Sequence, residues 1–350
     1  MDLDLRRLMD EAVALASSHH PHPNPRVGAL VVAADGSVIG RGAHVAPGTP
    51  HAEIHALKDA GDRAAGATVF VTLEPCNHEA RTPPCTAALI AAGVVRVVIG
   101  VEDPDPLVNG SGVGALRQAG IEVVMYQDPD AVEAVDPGYF HHRRVGRPHV
   151  TLKLAMTLDG QIAAADGTSR WITSEEARRD AHLLRAESDA VMVGAGTVLA
   201  DDPELTVRSD GYRGHQPVSV VVAGTRPLPP TAKVFGRDPI IYAPALLDLP
   251  GQVVVIGSEG RVDLDAALSD LGARGVVDLL VEGGGTLAAG LQSDGLVDRY
   301  VTYLAGAVAG GVGRPAFDGV FSTIGEERRV EIVDVCRVGP DLRLEARSPA

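Results

Sequence analysis

The sequence predicts an α/β protein made of two domains. At 350 residues the chain exceeds the size at which one hydrophobic core usually stops growing. Patterns of strand, helix and strand follow one another in both halves, which predicts layers of helices packed on mixed sheets. Gly146 and Pro148 interrupt the pattern between the halves. We therefore place the first domain at residues 1–145 and the second at residues 149–350.

Composition excludes several classes of protein. Hydrophobic residues make up 45% of the chain and charged residues 22%, which is typical of a globular protein. The formal net charge of -15 disfavours binding to a nucleic-acid backbone. Three cysteines are too few and too unevenly placed for a disulfide framework, which favours a reducing compartment. The N-terminus lacks a signal-peptide pattern and no apolar run would span a bilayer, so we expect a soluble, cytoplasmic protein.

The first half begins with an amphipathic helix, predicted over residues 4–18 from the spacing of its apolar side chains. Two apolar runs then flank Asp35-Gly36, which is a strong signal for a two-residue hairpin. The remaining predicted elements of this half are a helix from His51 to about Ala60, a strand ending at Pro75-Cys76, a helix from Pro84 to Ala92, two strands around a helix from Gly112 to Ala119, and a helical segment from Asp128 to Arg144.

Residues 51 to 85 contain the residue types that a zinc-activated water reaction requires. Zinc prefers nitrogen and thiolate ligands, and a catalytic zinc site keeps three protein ligands and one open position. His51, Cys76 and Cys85 would fill the three protein positions. Glu53 lies two residues beyond His51, where it can face the water without ligating the metal, so we assign it the role of proton shuttle.

Other residues are predicted to lie near the metal. Asn24 and Pro25 precede the first strand and His44 follows the second, so these side chains can reach the same end of the sheet. An Asn-Pro pair is more often only a turn initiator. A different hypothesis makes the zinc site structural and closed, with His78 as its fourth protein ligand.

Four motifs carry a resemblance to a known family. The segments NPRVG, GRGAHVAPGTPHAEIHAL, LEPCNHEARTPPC and VEDPDPLVNGSG resemble the deaminase half of the bifunctional riboflavin-biosynthesis deaminase/reductase, over about residues 5 to 145. The resemblance implies a cytidine-deaminase-like three-layer sandwich. It also implies that His51, Cys76 and Cys85 hold zinc, that Glu53 is the proton shuttle, and that Asn24, His44 and the DPDP turn at residues 103–106 line the pyrimidine pocket.

In the second half, two glycine turns follow predicted strands. DAVMVG leads into Gly194-Ala195-Gly196, a weak dinucleotide signal by itself. VVDLLVEGGGTL predicts a strand, a glycine turn at 283–285 and a helix whose N-terminus could hold a pyrophosphate, although an unliganded tight turn fits the segment equally well. Lys153 interrupts an apolar strand, which favours a site role, with Asp159 as its expected partner. Ser174 is predicted to cap a helix that runs to about Glu187.

The order of motifs in residues 149 to about 305 resembles the reductase half of the same bifunctional family, whose fold is similar to dihydrofolate reductase. The resemblance implies contacts with NADPH from Ala155, Trp171, Thr197, Asp201, Gly284, Gly285 and Thr286. It implies contacts with the substrate from Ser169, Arg185, Leu205, Arg208 and Glu282, to which we add Lys153. The two arginines suit a phosphate group.

We therefore expect a bifunctional enzyme of riboflavin biosynthesis. One half would use zinc-activated water to deaminate 2,5-diamino-6-ribosylamino-4(3H)-pyrimidinone 5′-phosphate, and the other would use NADPH to reduce the ribosyl group to ribityl. Two alternatives stay open: a deaminase of a nucleic-acid base, and a deaminase whose C-terminal half is a non-catalytic dimerisation module. We also expect one zinc ion per chain and a homodimer or higher homo-oligomer.

Overall fold

The computed structural model describes residues 4–78, 84–106, 108–209, 211–319 and 323–349. The chain divides into two compact units, Met1–Val145 and Gly146–Ala350. Residues 79–83, which belong to the motif between Cys76 and Cys85, lie outside the described residues.

The first unit alternates helices and strands from its start. Its helices are α1 Leu5–Ala16, α2 Ala52–Ala60, α3 Cys85–Ala91, α4 Ser111–Gln118, α5 Pro129–Glu133 and α6 Pro137–Val145. Its strands are β1 Gly28–Val32, β2 Val38–Ala43, β3 Thr68–Leu73, β4 Arg96–Val101 and β5 Glu122–Met125. The predicted hairpin, the predicted helix starts at residues 51 and 84, and the three later strands are thereby confirmed.

These strands form a mixed sheet between two helical layers. The strand order is β2-β1-β3-β4-β5, with β1 antiparallel to both neighbours and β3, β4 and β5 parallel. A Cβ on Gly28 would lie 2.0 Å from the Ala12 carbonyl of α1, and a Cβ on Gly42 would lie 2.1 Å from the Ala52 carbonyl of α2. Gly42 pairs with Ala29, the residue after Gly28, so α1 and α2 cover opposite faces. The predicted three-layer sandwich is confirmed.

The segment predicted as one helix from Asp128 to Arg144 is two helices. The break falls at residues 134–136, directly before Pro137. The buried Asp136 carboxylate accepts the N–H of Tyr139 at 3.3 Å and the N–H of Arg26 at 2.8 Å. His22 Nε2 lies 3.0 Å from the same carboxylate. Asp136 therefore starts α6 and ties it to the loop before β1, which is why the helix cannot continue through this position.

The second unit is built on a larger sheet. Its helices are α7 Glu175–Ala186, α8 Ala195–Asp201, α9 Leu264–Ala273 and α10 Gly285–Ser293. Its strands are β6 His149–Thr157, β7 Gln161–Ala163, β8 Ala190–Gly194, β9 Val218–Val222, β10 Ile240–Ala243, β11 Gln252–Val255, β12 Asp278–Val281, β13 Arg299–Ala305, β14 Arg314–Pro315, β15 Glu331–Val338 and β16 Asp341–Arg347. Ser174 caps α7 by accepting the N–H of Ala177, as predicted.

The main sheet of this unit has the order β11-β10-β9-β8-β12-β6-β13-β16-β15 within the described chain. Its strands are parallel from β11 to β13, and β16 and β15 complete it in antiparallel fashion. One face packs on α9 and α10 through residues such as Leu268 and Leu291, and the other packs on α7 and α8 through residues such as Leu184 and Val198. The unit is therefore a second three-layer α/β structure.

The carboxyl ends of β8, β12 and β6 lie side by side in this sheet. Gly194 ends β8, Glu282 follows β12, and Lys153 lies in β6 one residue after the partner of Val281. Strand order reverses between β8 and β12, because the chain runs outward from β8 to β11 before it returns. Ligands of open α/β sheets bind at such a switch point, outside the carboxyl ends of the strands.

Candidate active sites

Three potential metal ligands converge in the first unit. His51 is the cap residue of α2, Cys76 follows β3, and Cys85 begins α3. The Nδ1 atom of His51 lies 3.3 Å from Sγ of Cys85 and 3.6 Å from Sγ of Cys76. A tetrahedral zinc with bonds of about 2.1 Å to nitrogen and about 2.3 Å to sulfur separates these atoms by roughly 3.6 Å. The donor set and its spacing therefore fit zinc.

The structure gives no support to a closed zinc site. His78 is exposed, and it is absent from the group of ligand atoms, all within 4.8 Å of one another, that His51, Cys76 and Cys85 form in the described chain. Hydrogen bonding to Cys85, followed by that to His51, lowers the pKa of Cys76 to about 4. A thiolate is thus available at this position before any metal binds.

Glu53 lies in the first turn of α2 and is buried, with 3% of its surface exposed. Burial raises the pKa of its carboxyl group. A carboxyl group with a raised pKa exchanges protons closer to neutral pH than an exposed one does. Glu53 lines the same cavity as His51 and Cys76, so the carboxyl group and the potential metal ligands face one space.

Asn24 and His44 meet beside these ligands. Nδ2 of Asn24 lies 3.0 Å from Nε2 of His44, and Nδ1 of His44 lies 3.2 Å from the Pro50 carbonyl. A carbonyl accepts only, so Nδ1 carries the imidazole proton and Nε2 accepts from Asn24. Burial lowers the pKa of His44, which keeps the ring neutral. The His44 and His51 rings pack edge to face at 5.1 Å.

A cavity of about 460 Å³ occupies the carboxyl edge of the sheet in the second unit. Its lining includes the following residues predicted from the sequence: Lys153, Ala155, Ser169, Trp171, Arg185, Thr197, Asp201, Leu205, Arg208 and Glu282. The structure therefore brings together predicted positions that are as much as about 130 residues apart in sequence.

An ion pair crosses the floor of this cavity. Arg185 donates to both carboxylate oxygens of Glu282, at 2.5 and 2.9 Å. Although burial raises the pKa of Glu282, Arg185 outweighs it and the pKa falls to about 2. Burial lowers the pKa of Lys153, and Glu282 opposes this effect. Nζ of Lys153 lies 5.8 Å from the centre of the Tyr303 ring.

The predicted pairing of Lys153 with Asp159 is wrong. The Asp159 carboxylate accepts the Thr157 hydroxyl at 2.6 Å and the N–H groups of Ala309 and Gly310 at 3.1 and 2.7 Å. It therefore pins the loop after β13 to the turn after β6. The acidic groups whose charge acts on Lys153 are Glu282, which follows β12, and, more weakly, Asp201.

Gly284, Gly285 and Thr286 are outside the lining of the 460 Å³ cavity. Gly284 caps α10, and a Cβ placed on it would lie 3.7 Å from Oγ1 of Thr197. A Cβ on Gly285 would lie 2.5 Å from the Pro315 carbonyl, so this glycine is required by packing within the protein. The Thr286 hydroxyl lies 3.4 Å from the Asp318 carboxylate.

Comparisons with known proteins match both units. A family model described as the cytidine and deoxycytidylate deaminase zinc-binding region matches residues 3–101, and one described as the RibD C-terminal domain matches residues 148–344. The chain is 40% identical to riboflavin biosynthesis protein RibD of Mycobacterium tuberculosis strain CDC 1551, over 98% of each chain. It superimposes on Acinetobacter baumannii RibD with a TM-score of 0.92, at 36% identity and 99% coverage of both chains.

The chain belongs to the RibD family. It is a bifunctional enzyme of riboflavin biosynthesis with a zinc-binding deaminase domain and a reductase domain. A further similar structure is the Thermotoga maritima diaminohydroxyphosphoribosylaminopyrimidine deaminase/5-amino-6-(5-phosphoribosylamino)uracil reductase, with a TM-score of 0.88, 33% identity and 99% coverage of both chains. The predicted fold classes and the predicted bifunctional enzyme are confirmed. The alternative of a non-catalytic C-terminal dimerisation module is not confirmed.

The RibD deaminase cavity, of about 590 Å³, has an acidic wall at Asp103 and Asp105, which belong to the DPDP turn that the resemblance implied for the pyrimidine pocket. The Tyr139 hydroxyl donates to the buried Asp103 at 3.0 Å. Burial raises the pKa of Asp103 to about 6. Arg143 stacks on Tyr139 at 4.8 Å, and its Nε lies 3.0 Å from Asp105. The two aspartates lie in one recognisable turn, but their partners come from α6, which sequence spacing could not place.

Glu74 holds the same wall together. Its buried carboxylate accepts the N–H groups of Gly110, Gly112 and Val113 at 2.9 to 3.0 Å, so it neutralises the N-terminus of α4. A Cβ on Gly112 would lie 2.0 Å from the Pro75 carbonyl. The turn that carries Cys76 is thus fixed against α4. In the sequence, the signal for this role of Glu74 was its position directly before Pro75-Cys76.

Membrane insertion through a helix finds no support, since none of the helices in the described ranges combines the length and apolar character that a bilayer demands.

Proposed function

We propose that this RibD-family chain acts twice on one pathway intermediate. The deaminase domain would convert 2,5-diamino-6-ribosylamino-4(3H)-pyrimidinone 5′-phosphate to the corresponding uracil derivative. The reductase domain would then reduce the ribosyl group of that product to ribityl with NADPH. The name of the Thermotoga maritima relative, a diaminohydroxyphosphoribosylaminopyrimidine deaminase, supports this substrate class. The observation that carries the proposal is the convergence of His51, Cys76, Cys85 and Glu53 on one cavity.

One zinc ion would be held by His51, Cys76 and Cys85. When bound with an open coordination position, zinc makes water a good nucleophile near neutral pH. The separations of 3.3 and 3.6 Å between His51 Nδ1 and the two sulfur atoms support this assignment. So does the position of His51 and Cys85 at helix starts, because both side chains lie there beside the turn that carries Cys76.

Glu53 would move the protons of the deamination. Water adds to the ring carbon that bears the amino group, a C–O bond forms, and the C–N bond then breaks to release ammonia. Glu53 would take a proton from the water and deliver it to the departing nitrogen. Burial raises the pKa of the Glu53 carboxyl group, which favours both its uptake and its delivery of a proton relative to an exposed glutamate. Neutral His44, oriented by Asn24 and the Pro50 carbonyl, would hold the pyrimidine ring.

The reductase residues would bind and orient rather than form bonds. NADPH supplies a hydride to the first carbon of the opened ribosyl group. Lys153 would supply the accompanying proton, since burial lowers its pKa. Arg208 would bind the substrate phosphate, while Ser169, Leu205 and the Arg185–Glu282 pair would position the sugar. Because Leu205 is only 1% exposed, its contribution would come from its backbone.

The NADPH site would lie at the switch point of the sheet. Thr197, Asp201 and the start of α10 at Gly284–Thr286 flank it, and Ala155 lines its floor. The Trp171 ring is 68% exposed, with Arg178 at 4.3 Å and Arg170 at 5.8 Å from its centre, so its exposed part would contact a nicotinamide or ribose. Gly284 fits close approach of a pyrophosphate because, among the described residues beyond its chain neighbours, Thr197 alone lies within 4 Å of its Cβ position.

Metal removal provides the direct test of the two-site proposal. Ammonia release and NADPH oxidation are followed on the full chain before and after treatment with a zinc chelator. We expect one zinc per untreated chain, loss of ammonia release on chelation, and unchanged reduction of the deaminated substrate. Retention of deamination by metal-free protein would refute the zinc assignment.

We further propose that the protein is a homodimer joined through β15. This strand lies at the edge of the large sheet, and within the described chain its outer side has no neighbouring strand. Ile332, Val333 and Val335 are 60%, 50% and 53% exposed, so apolar side chains project from both faces of the strand. An exposed apolar edge strand readily pairs with another strand. A second copy related by a two-fold axis would cover it.

A further inference from the structure

Residues 205–208 form part of the wall of the reductase cavity. Leu205 adopts the left-handed conformation, with φ of 55°, which is uncommon for a residue other than glycine. Its side chain is buried while that of Arg208 is exposed. The loop thus turns sharply at Leu205 and presents Arg208 at the cavity, an arrangement that the surrounding structure must hold in place.

Three side chains from outside this loop hold its backbone. Arg185 donates from Nη1 to the Thr206 carbonyl at 2.8 Å. The Gln216 amide accepts the N–H of Val207 at 2.8 Å and donates to the Val207 carbonyl at 3.2 Å. His182 accepts the N–H of Arg208 on Nδ1 at 3.2 Å. Consecutive peptide groups are therefore fixed from α7 and from the segment before β9.

Arg185 and Arg208 differ in whether their guanidinium groups are already paired within the protein or can bind an anion. Nε and Nη2 of Arg185 donate to Glu282, and its Nη1 donates to Thr206. Arg208 has no acidic partner among the residues that the structure describes. Lys233, another cation in the cavity lining, lies 3.6 Å from Asp202. Of the other two arginines in the lining, Arg170 lies 3.7 Å from Asp201, and Arg178 donates to the Thr173 carbonyl and stacks on Trp171. Within the described residues, Arg208 is thus the arginine of this lining whose guanidinium contacts no carboxylate, carbonyl or aromatic ring.

We propose that His182 and Gln216 are positioning residues of the reductase, which fix the backbone of residues 205–208 so that Arg208 meets the phosphate of the substrate. The inference rests on the proposed phosphate contact of Arg208. His182 acts through the loop, since its Nδ1 is committed to the N–H of Arg208 and its proton must therefore be on Nε2.

The charges around His182 support this role. Arg185, Arg208 and Lys153 face the imidazole, and Glu282 is the acidic group that opposes them. Burial, followed by Arg185 and Arg208, lowers the pKa of His182 to about 4. The ring is consequently neutral at physiological pH, where Nδ1 can accept a hydrogen bond and does not repel the neighbouring arginines.

The test compares His182→Leu with His182→Asn in the full chain. The Asn Oδ1 atom can occupy the position of Nδ1 and accept the same N–H, whereas Leu cannot accept it. Reduction of the deaminated substrate gives KM and kcat, and competitive inhibition by ribose 5-phosphate reports on the phosphate contact alone. We expect His182→Leu to raise both KM and the inhibition constant about tenfold with little change in kcat. His182→Asn should stay within about twofold of the unchanged chain. Ammonia release serves as a control, because it reports whether the deaminase unit of each variant is folded.

A double-mutant cycle separates positioning through Arg208 from a general structural role. Adding His182→Leu to Arg208→Ala should raise KM no further, because the side chain that His182 positions is already absent. Additive effects would overturn the proposal, as would an unchanged inhibition constant for ribose 5-phosphate in His182→Leu. Gln216→Leu should behave like His182→Leu, which keeps the proposal testable if one variant folds poorly. If Arg208→Ala itself binds ribose 5-phosphate normally, the proposed phosphate contact is the part that fails.

Discussion

Glu53 and the three proposed metal ligands show how two short helices bring candidate catalytic groups together. The carboxyl group lies two residues after His51, inside the first turn of α2, where burial raises its pKa. The same helix start that directs His51 toward the cysteines thus directs Glu53 into the cavity. A buried carboxyl group with a raised pKa is well suited to proton transfer.

Glu53→Gln should abolish most of the deamination. The amide keeps the volume and hydrogen-bonding capacity of the side chain but cannot exchange a proton. We expect ammonia release to fall by roughly 10² to 10⁴-fold, the usual contribution of general acid–base catalysis. Zinc content and NADPH oxidation with the deaminated substrate should match those of the unchanged chain. A variant with normal ammonia release would remove Glu53 from the mechanism.

Asp103 makes the stability of the protein depend on pH. Burial, assisted by the Asp105 and Glu74 carboxylates, raises its pKa from 3.8 to about 6. The folded state therefore binds this proton more tightly than the unfolded state. Its stabilising contribution is complete below pH 3.8 and is lost as pH rises through about 6.

Asp103→Asn should consequently stabilise the protein at neutral pH. The amide still accepts from Tyr139 but never carries the buried charge. We expect a gain in the free energy of unfolding on the order of 2 kcal/mol at pH 8 and little gain at pH 4. Chemical denaturation at the two pH values, with equal zinc loading, provides the measurement. An equal gain at both pH values would contradict the raised pKa.

Mutations of the Arg185–Glu282 ion pair should change the free energy of unfolding in a non-additive way. Arg185→Met leaves the buried Glu282 carboxylate without its bidentate partner, so we expect a loss of about 3 to 5 kcal/mol in the free energy of unfolding. Adding Glu282→Gln should recover much of that loss, because no uncompensated charge is then left. Additive losses in the double variant would argue that packing, and not charge pairing, dominates at this position.

At the scale of elements, α2 is placed by a glycine. A Cβ on Gly42 would lie 2.1 Å from the Ala52 carbonyl and 2.5 Å from the Ala56 nitrogen, both backbone atoms of α2. The close approach of helix and strand sets the height of His51 and Glu53 above the sheet. The positions of the proposed metal ligand His51 and of Glu53 thus depend on Gly42, a residue that has no side chain to take part in the reaction.

Gly42→Ala should displace α2 and weaken the metal site. We expect a loss of about 1 to 3 kcal/mol in the free energy of unfolding, the usual cost of overpacking, together with less than one zinc per chain. Gly114→Ala is the matched control, because nothing lies within 4 Å of its Cβ position in α4. That variant should be stabilised by roughly 0.5 to 1 kcal/mol. Full zinc content in Gly42→Ala would contradict the placement of α2 by this contact.

The sequence predicted local elements well because their signals are local. The hairpin at Asp35-Gly36, the helix starts at His51 and Pro84, and the Ser174 cap all depend on residues within one turn of each other. The break at Asp136 was missed, since it depends on contacts of that carboxylate with the distant residues Arg26 and His22.

Side-chain partners were harder to predict than elements. Asp159 is near Lys153 in sequence, but its carboxylate is used by backbone N–H groups some 150 residues away. The contacts of Glu74 with the start of α4, and of His182 and Gln216 with residues 205–208, likewise join segments that no short motif contains. Resemblance to a family named most of the predicted residues of the reductase cavity, whereas the residues and their spacing alone gave the proposed metal ligands, Glu53 and Lys153.

At the scale of the whole molecule, the exposed edge of the large sheet should decide the oligomeric state. We expect analytical ultracentrifugation to show a dimer, and Val335→Asp to shift it toward monomer by placing a charge on the edge strand. Leu246→Asp is a control, because Leu246 is 81% exposed and lies outside β15. If the Val335→Asp variant remains a dimer, the interface lies elsewhere on the protein.

The central claim is that one chain holds two separable sites and that the product of the first is the substrate of the second. The most direct measurement supplies Glu53→Gln protein and NADPH with either the diamino substrate or its deaminated product. With the diamino substrate we predict that ammonia release and NADPH oxidation both fall by roughly 10² to 10⁴-fold. With the deaminated product we predict NADPH oxidation at the rate of the unchanged chain. Undiminished NADPH oxidation with the diamino substrate, or loss of reduction with the deaminated product, would contradict the claim.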